Sequence, residues 1–94
     1  MYLRKVSVLK KIDSSTYEGE DVLDGTTVEI FIKGKLRMNY IKLPIGLPVF
    51  VVMADSDDSV GGLVIEKYLC FDNQNAELCR QKRAIEERER QLKS

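Results

Sequence analysis

Residues 33–42 bring Lys33, Lys35, Arg37 and Lys42 together with Asn39 and Tyr40. Cations beside an aromatic ring suit RNA, because the charges hold phosphates while the ring stacks on a base. The same residues are equally suited to a solvated turn, with Asn39 capping backbone groups and Tyr40 and Ile41 plugging a core. Arg80, Lys82 and Arg83 form a second basic group. Asp55, Asp57 and Asp58 lie among Ser56 and Ser59, but without the spacing of a calcium loop. The chain has no histidine. That removes serine–histidine–acid catalysis, a histidine-activated cysteine and the usual zinc signatures. The expectation is a non-enzyme with no catalytic residues, no metal and no cofactor.

The whole chain has 94 residues, with 15 basic and 15 acidic side chains. Zero net charge excludes a uniformly basic coat for nucleic acid but leaves room for a local basic face. The charge is distributed unevenly. Residues 55–66 hold four acids and no base, while the segments before and after are each slightly basic. Hydrophobic residues make up 44% and charged residues 32%, which fits one small folded domain. The longest apolar run, 49–54, is too short to cross a bilayer, and no basic segment leads into an apolar signal core. Two cysteines, Cys70 and Cys79, are too few for a disulfide framework. A cytoplasmic chain with reduced thiols and no membrane partner is expected.

Short strands must position the first basic group. Val6 and Val8 alternate with polar neighbours over 4–11, and a turn at 13–15 leads to a weaker strand over 16–22. Gly19 within that strand marks a bulge or a close backbone approach. Asp24-Gly25 is a hairpin signal. Over 26–32, Val28, Ile30 and Ile32 take one face, and Thr27, Glu29 and Phe31 the other. A short helix is expected over 36–43, then a turn around Pro44 and Pro48. Residues 49–53 read as a central buried strand, 55–59 as a solvated loop, and 62–68 as a fifth strand. Exposed aromatics at Tyr17 or Phe31 would be stacking platforms, whereas most of the seven aromatics in so small a domain are needed for packing. Five short strands, with a short helix between the third and fourth, predict an all-β oligonucleotide/oligosaccharide-binding (OB) barrel over 1–71.

Residues 72–94 form a C-terminal helical extension by pattern. Leu78, Ile85 and Leu92 recur every seven residues, and Glu86–Arg90 and Glu89–Lys93 are favourable i,i+4 pairs. The apolar stripe is thin, so the helix must pack on the barrel or pair with a second copy as a homodimer through Leu78, Ile85 and Leu92.

The run Gly34-Lys35-Leu36-Arg37-Met38-Asn39-Tyr40-Ile41-Lys42 resembles the glycine–lysine–(methionine or leucine)–arginine–X–asparagine–tyrosine–isoleucine signature of bacterial translation initiation factor 1. The rest of 5–68 is similar to that family's layout. The resemblance implies a non-catalytic barrel on the small ribosomal subunit that contacts ribosomal RNA and works with other initiation factors. Lys35, Arg37, Asn39, Tyr40 and Lys42 match the motif, with Lys42 in place of a common arginine. With Lys33, and with Arg80 and Arg83 from the helix, they are the candidate RNA-binding residues. The acidic stretch 55–66 and the C-terminal helix depart from the family. They point to the alternative, a protein-interaction or oligomerisation module, such as a regulatory protein, that has lost ribosome binding.

Overall fold

The computed structural model describes residues 2–32, 43–54, 57–64, 69–70 and 76–93. Five strands, β1 (Tyr2–Asp13), β2 (Thr16–Asp21), β3 (Thr27–Phe31), β4 (Pro48–Ala54) and β5 (Asp57–Val64), precede one helix, α1 (Ala76–Lys93). The strands close into a barrel in the order β1-β2-β3-β5-β4. β3 and β5 are parallel and the other neighbours antiparallel, so this is a mixed-sheet, OB-fold-like barrel with a C-terminal helix. The short helix expected over 36–43 falls, but for Leu43, outside the described residues.

β1 is longer than its apolar pattern suggests because it serves two partners. Its first half pairs with β4, from Tyr2 opposite Met53 to Ser7 opposite Pro48. Its second half pairs with β2, with register shifts between Val8 and Lys10 and between Lys11 and Asp13. Such irregularities bend a strand enough to close a small barrel. Gly19 sits opposite Val8 at the first shift. A Cβ there would lie 2.3 Å from Val6 Cγ1 and 2.9 Å from the Ser7 carbonyl oxygen, so the close approach expected at this glycine is present.

The barrel core gathers Val6, Val8, Tyr17, Val28, Ile30, Ile32, Val51, Met53 and Leu63. The alternation read in β3 holds: Val28 and Ile30 are buried, while Thr27, Glu29 and Phe31 are exposed. Tyr17 follows the packing alternative. It shares a face with Gly19 and Asp21, is only 4% exposed, and fills the core instead of offering a stacking platform.

Two further expectations change. The loop read over 55–59 is shorter, because β5 already begins at Asp57. Ala54 pairs with Asp57 across the hairpin, so pairing with β4 overrides the low strand preference of aspartate and serine. The thiols expected to be reduced are instead joined in a Cys70–Cys79 disulfide. The turn at 69–70 and the first turns of α1 bring the two Cα atoms to 5.0 Å, within disulfide reach.

α1 lies over the outer face of β1 and β4. A second apolar cluster forms there from Leu3, Phe50, Leu69 and Ile85, with Leu23, Val52, Val64 and Leu78 packed around it. This explains the uninterrupted apolar run of β4: Val49, Val51 and Met53 face the barrel interior, while Phe50 and Val52 face the helix.

Candidate binding faces

Of the sequence-derived candidates, Lys33, Lys35, Arg37, Asn39, Tyr40 and Lys42 lie outside the described residues. Arg80 and Arg83 are on exposed positions of α1. Arg80 is paired with Glu77 one turn earlier, which holds the Glu77 carboxyl below its ordinary range. Lys82, between them, belongs to the helix–barrel seam. Its Nζ is 2.5 Å from Glu86 and 5.8 Å from the Phe50 ring centre. The structure therefore separates Lys82 from the two exposed arginines.

The seam is built from an apolar centre and a polar rim. Ile85 is 8% exposed, whereas Leu92 is 65% exposed. A dimer through Leu78, Ile85 and Leu92 would have to lift the first two from the barrel. Lys5 Nζ lies 5.9 Å from the Phe50 ring centre and 2.7 Å from Glu89. Glu89 thus reaches across to β1 and Glu86 engages Lys82, while the side chain of Lys93, the expected helix partner of Glu89, lies outside the described residues. Gln81 Oε1 accepts the Leu3 backbone N–H at 2.7 Å.

Next to the seam, Ser7 and Val22 are shared by two adjoining open hollows. One, of about 310 Å³, adds Leu9, Glu20, Asp21 and Gly25; the other, of about 420 Å³, adds Gly46, Pro48, Glu89 and Leu92.

One end of the barrel is tied by a network that sequence reading missed. Arg4 donates to Asp21 Oδ2 at 2.8 Å and to Asp24 Oδ2 at 3.3 Å. Asp21 Oδ1 also accepts the Leu23 N–H at 2.7 Å, and Asp24 Oδ1 accepts the Thr26 N–H at 2.8 Å. Burial disfavours the Arg4 charge, but its bonds to Asp21 and Tyr2 outweigh that, and its pKa stands above the ordinary value. Asp24 is held below its ordinary 3.8, first by the bonds from Thr26, with a smaller contribution from Arg4. These bonds fold the β2–β3 turn and set the Asp24-Gly25 corner, where Gly25 has a φ of 77°. Their role is positioning, since every carboxylate is occupied by a donor of the same chain.

The remaining outer face is that of β2 and β3, which is a ligand-binding surface in barrels of this type. Glu18 stands directly opposite Glu29, Glu20 opposite Thr27, and Thr16 opposite Phe31. Glu29, Glu20 and Phe31 are exposed, the phenyl ring by 42%. Among the described residues Glu18 has a cation close by, Lys10 Nζ at 3.6 Å. Like charges directly opposite each other cost stability in a sheet. The parity of the glutamates was readable, because they alternate with Tyr17, Gly19, Val28 and Ile30. Their convergence needed the β2–β3 register.

Among the described residues no group of three or more histidine, cysteine, aspartate or glutamate side chains is arranged to hold a metal ion. None of their helices is long and apolar enough to cross a membrane. No protein-family model matches the chain, and no curated protein matches it. An OB-fold-like barrel is compatible with nucleic-acid or protein binding in general, so the charge and shape of its faces must discriminate between them.

Proposed function

We propose that the protein is a non-catalytic binding module whose β2–β3 face takes a cationic protein segment. The observation that supports this reading is the Glu18–Glu29 pair with Glu20 on the same face and exposed Phe31 alongside. A cross-strand carboxylate pair works against the sheet, and such local violations concentrate at functional sites. A lysine- or arginine-bearing segment would relieve the repulsion and place an apolar or cationic side chain on the Phe31 ring. An RNA backbone approaching this face would meet like charge. This is the protein-interaction alternative of the sequence analysis.

The test is fluorescence anisotropy with a labelled Lys/Arg-rich peptide and a labelled single-stranded RNA, each over a salt series. The peptide is expected to bind more weakly as salt rises, and the E18Q/E20Q/E29Q variant to lose at least about tenfold in affinity. Peptide binding unchanged in that variant would overturn the assignment of the face.

A second reading keeps the ribosomal role. It is supported by the barrel and by the Gly34-to-Lys42 run, with its resemblance to translation initiation factor 1. In that reading the partners are small-subunit RNA and other initiation factors, and the location is the cytoplasm. Lys35, Arg37 and Lys42 hold phosphates and Tyr40 stacks. Co-sedimentation with purified small ribosomal subunits at low salt, with the other factors present, is the expected result. K35A and R37A should each flatten the salt dependence by about one phosphate contact. Absence of co-sedimentation would remove this reading. The Cys70–Cys79 bond favours a setting in which thiols are oxidised for at least part of the protein's life.

A further inference from the structure

We propose that the Cys70–Cys79 disulfide is a reducible latch that keeps α1 on the barrel, and that opening it uncovers the outer face of β1 and β4. The bond sits at the seam. Leu69, fully buried in the helix-side cluster, immediately precedes Cys70. Cys79 follows Leu78, which packs on the same cluster. Cys70 is exposed and Cys79 half-buried, so the bond is open to attack by a thiolate.

What else holds α1 is slight. Among the described residues Ile85 is the buried side chain of the helix, and its seam also includes Leu78, the Lys5–Glu89 pair, Lys82 over the Phe50 ring and the Gln81 bond to Leu3. The single Lys5–Glu89 pair is part-buried, so its attraction is offset by desolvation, and an isolated charged helix of 18 residues is marginal in water. Closing a loop across nine positions of sequence therefore makes the difference between docked and undocked helix. Chain entropy sets its effect on the docking equilibrium at about a hundredfold. The barrel does not depend on the bond in the same way. Its core cluster, around Val6, Ile30 and Met53, is distinct from the helix-side cluster.

The opening step is thiol–disulfide exchange with a dithiol. One thiolate of the reductant attacks the Cys70 sulfur, the Cys70–Cys79 bond breaks, and Cys79 leaves as a thiolate that takes up a proton. The second thiol of the reductant then displaces Cys70, which leaves as the second thiol. The chain gains two electrons and two protons, and the dithiol ends as its own disulfide. Leu3, Phe50, Val52 and Val64 then lose the cover of Ile85 and Leu78.

The test uses the full chain, equilibrated in glutathione buffers from oxidising to the reducing poise of a cytosol. Alkylation and mass counting report the state of the two thiols, and amide hydrogen exchange is read by mass spectrometry. Reduction in the reducing buffer is expected, with exchange over 76–93 speeding by about a hundredfold. Exchange in β1, β2 and β3 from Val6 onward should stay slow, and reoxidation should restore the helix. C70S/C79S should match the reduced chain. Three outcomes would overturn the latch: a bond that stays closed at the cytosolic poise, a reduced chain whose helix exchanges as slowly as before, or loss of protection throughout the barrel. The last would identify the bond as a staple of the whole fold.

Discussion

The barrel has two outer faces that are treated in opposite ways. Over β1 and β4, Leu3, Phe50 and Val52 point outward and are covered by α1. Over β2 and β3, Glu18, Glu20, Glu29 and Phe31 point outward with no element laid over them among the described residues. The covered face makes a second small core, and its strand is apolar on both sides. The uncovered face alternates cleanly, and its charges repel one another. One face thus contributes stability, while the other accepts a small penalty and stays available to a ligand.

Mutations should separate the two faces. The largest expected effect is on the covered one: F50A should cost about 3 kcal/mol or more, read as a shift in the urea midpoint, while I85A should free α1 from the barrel, read as faster amide exchange over 76–93. Neither should change peptide binding at the β2–β3 face. Next comes the barrel end. D21N leaves the part-buried Arg4 with a weaker partner and should cost about 2 kcal/mol. A neutral outcome would show that Asp24 alone holds the arginine. Smaller still, and of opposite sign, E29K should stabilise by a few tenths of a kcal/mol by placing a cation across from Glu18. The same change should abolish binding of the cationic peptide, so stability and function would move in opposite directions.

The smallest effect is one of pH. Folding lowers the Asp24 pKa, so the stabilisation from its bonds to Thr26 is complete above the ordinary value of 3.8. It disappears as pH falls through the lower folded value. The Thr26 amide resonance, followed by NMR, should titrate below 3.8; titration at or above that value would mean the Asp24 bond does not persist in solution.

Much of the fold was legible because periodicity is local. Val28, Ile30 and Ile32 announce the inner face of β3, and Gly19 announces a close approach. β4 was legible as buried on both sides, but what covered its second side was not, because that depends on where a distant helix docks. Tyr17 could be read as packing or as a platform until the barrel showed which face of β2 turns inward. β5 was started late because strand pairing at Asp57 overrides residue preference. The heptad of leucines and isoleucine described a stripe, yet only Ile85 carries the buried contact and Leu92 stays in water. The disulfide was illegible for a different reason: two cysteines nine apart form a bond only if a turn and a helix bring them together. The basic run of 33–42 was the most readable chemistry in the chain. The glutamate face was the least, because its meaning lies in cross-strand register.

One hydrogen bond in the seam has a wider consequence. Among the described residues, β1 pairs with β2 from Val6 onward, the Val22 N–H donates to the Lys5 carbonyl just before it, and Tyr2 to Arg4 pair with β4 alone. The Leu3 amide points to the unfilled side and is met by Gln81. An unmet amide row at a sheet margin is a template on which another chain can add a strand. Gln81 satisfies that one edge amide, so a chain whose helix has lifted away leaves it bare beside an apolar patch.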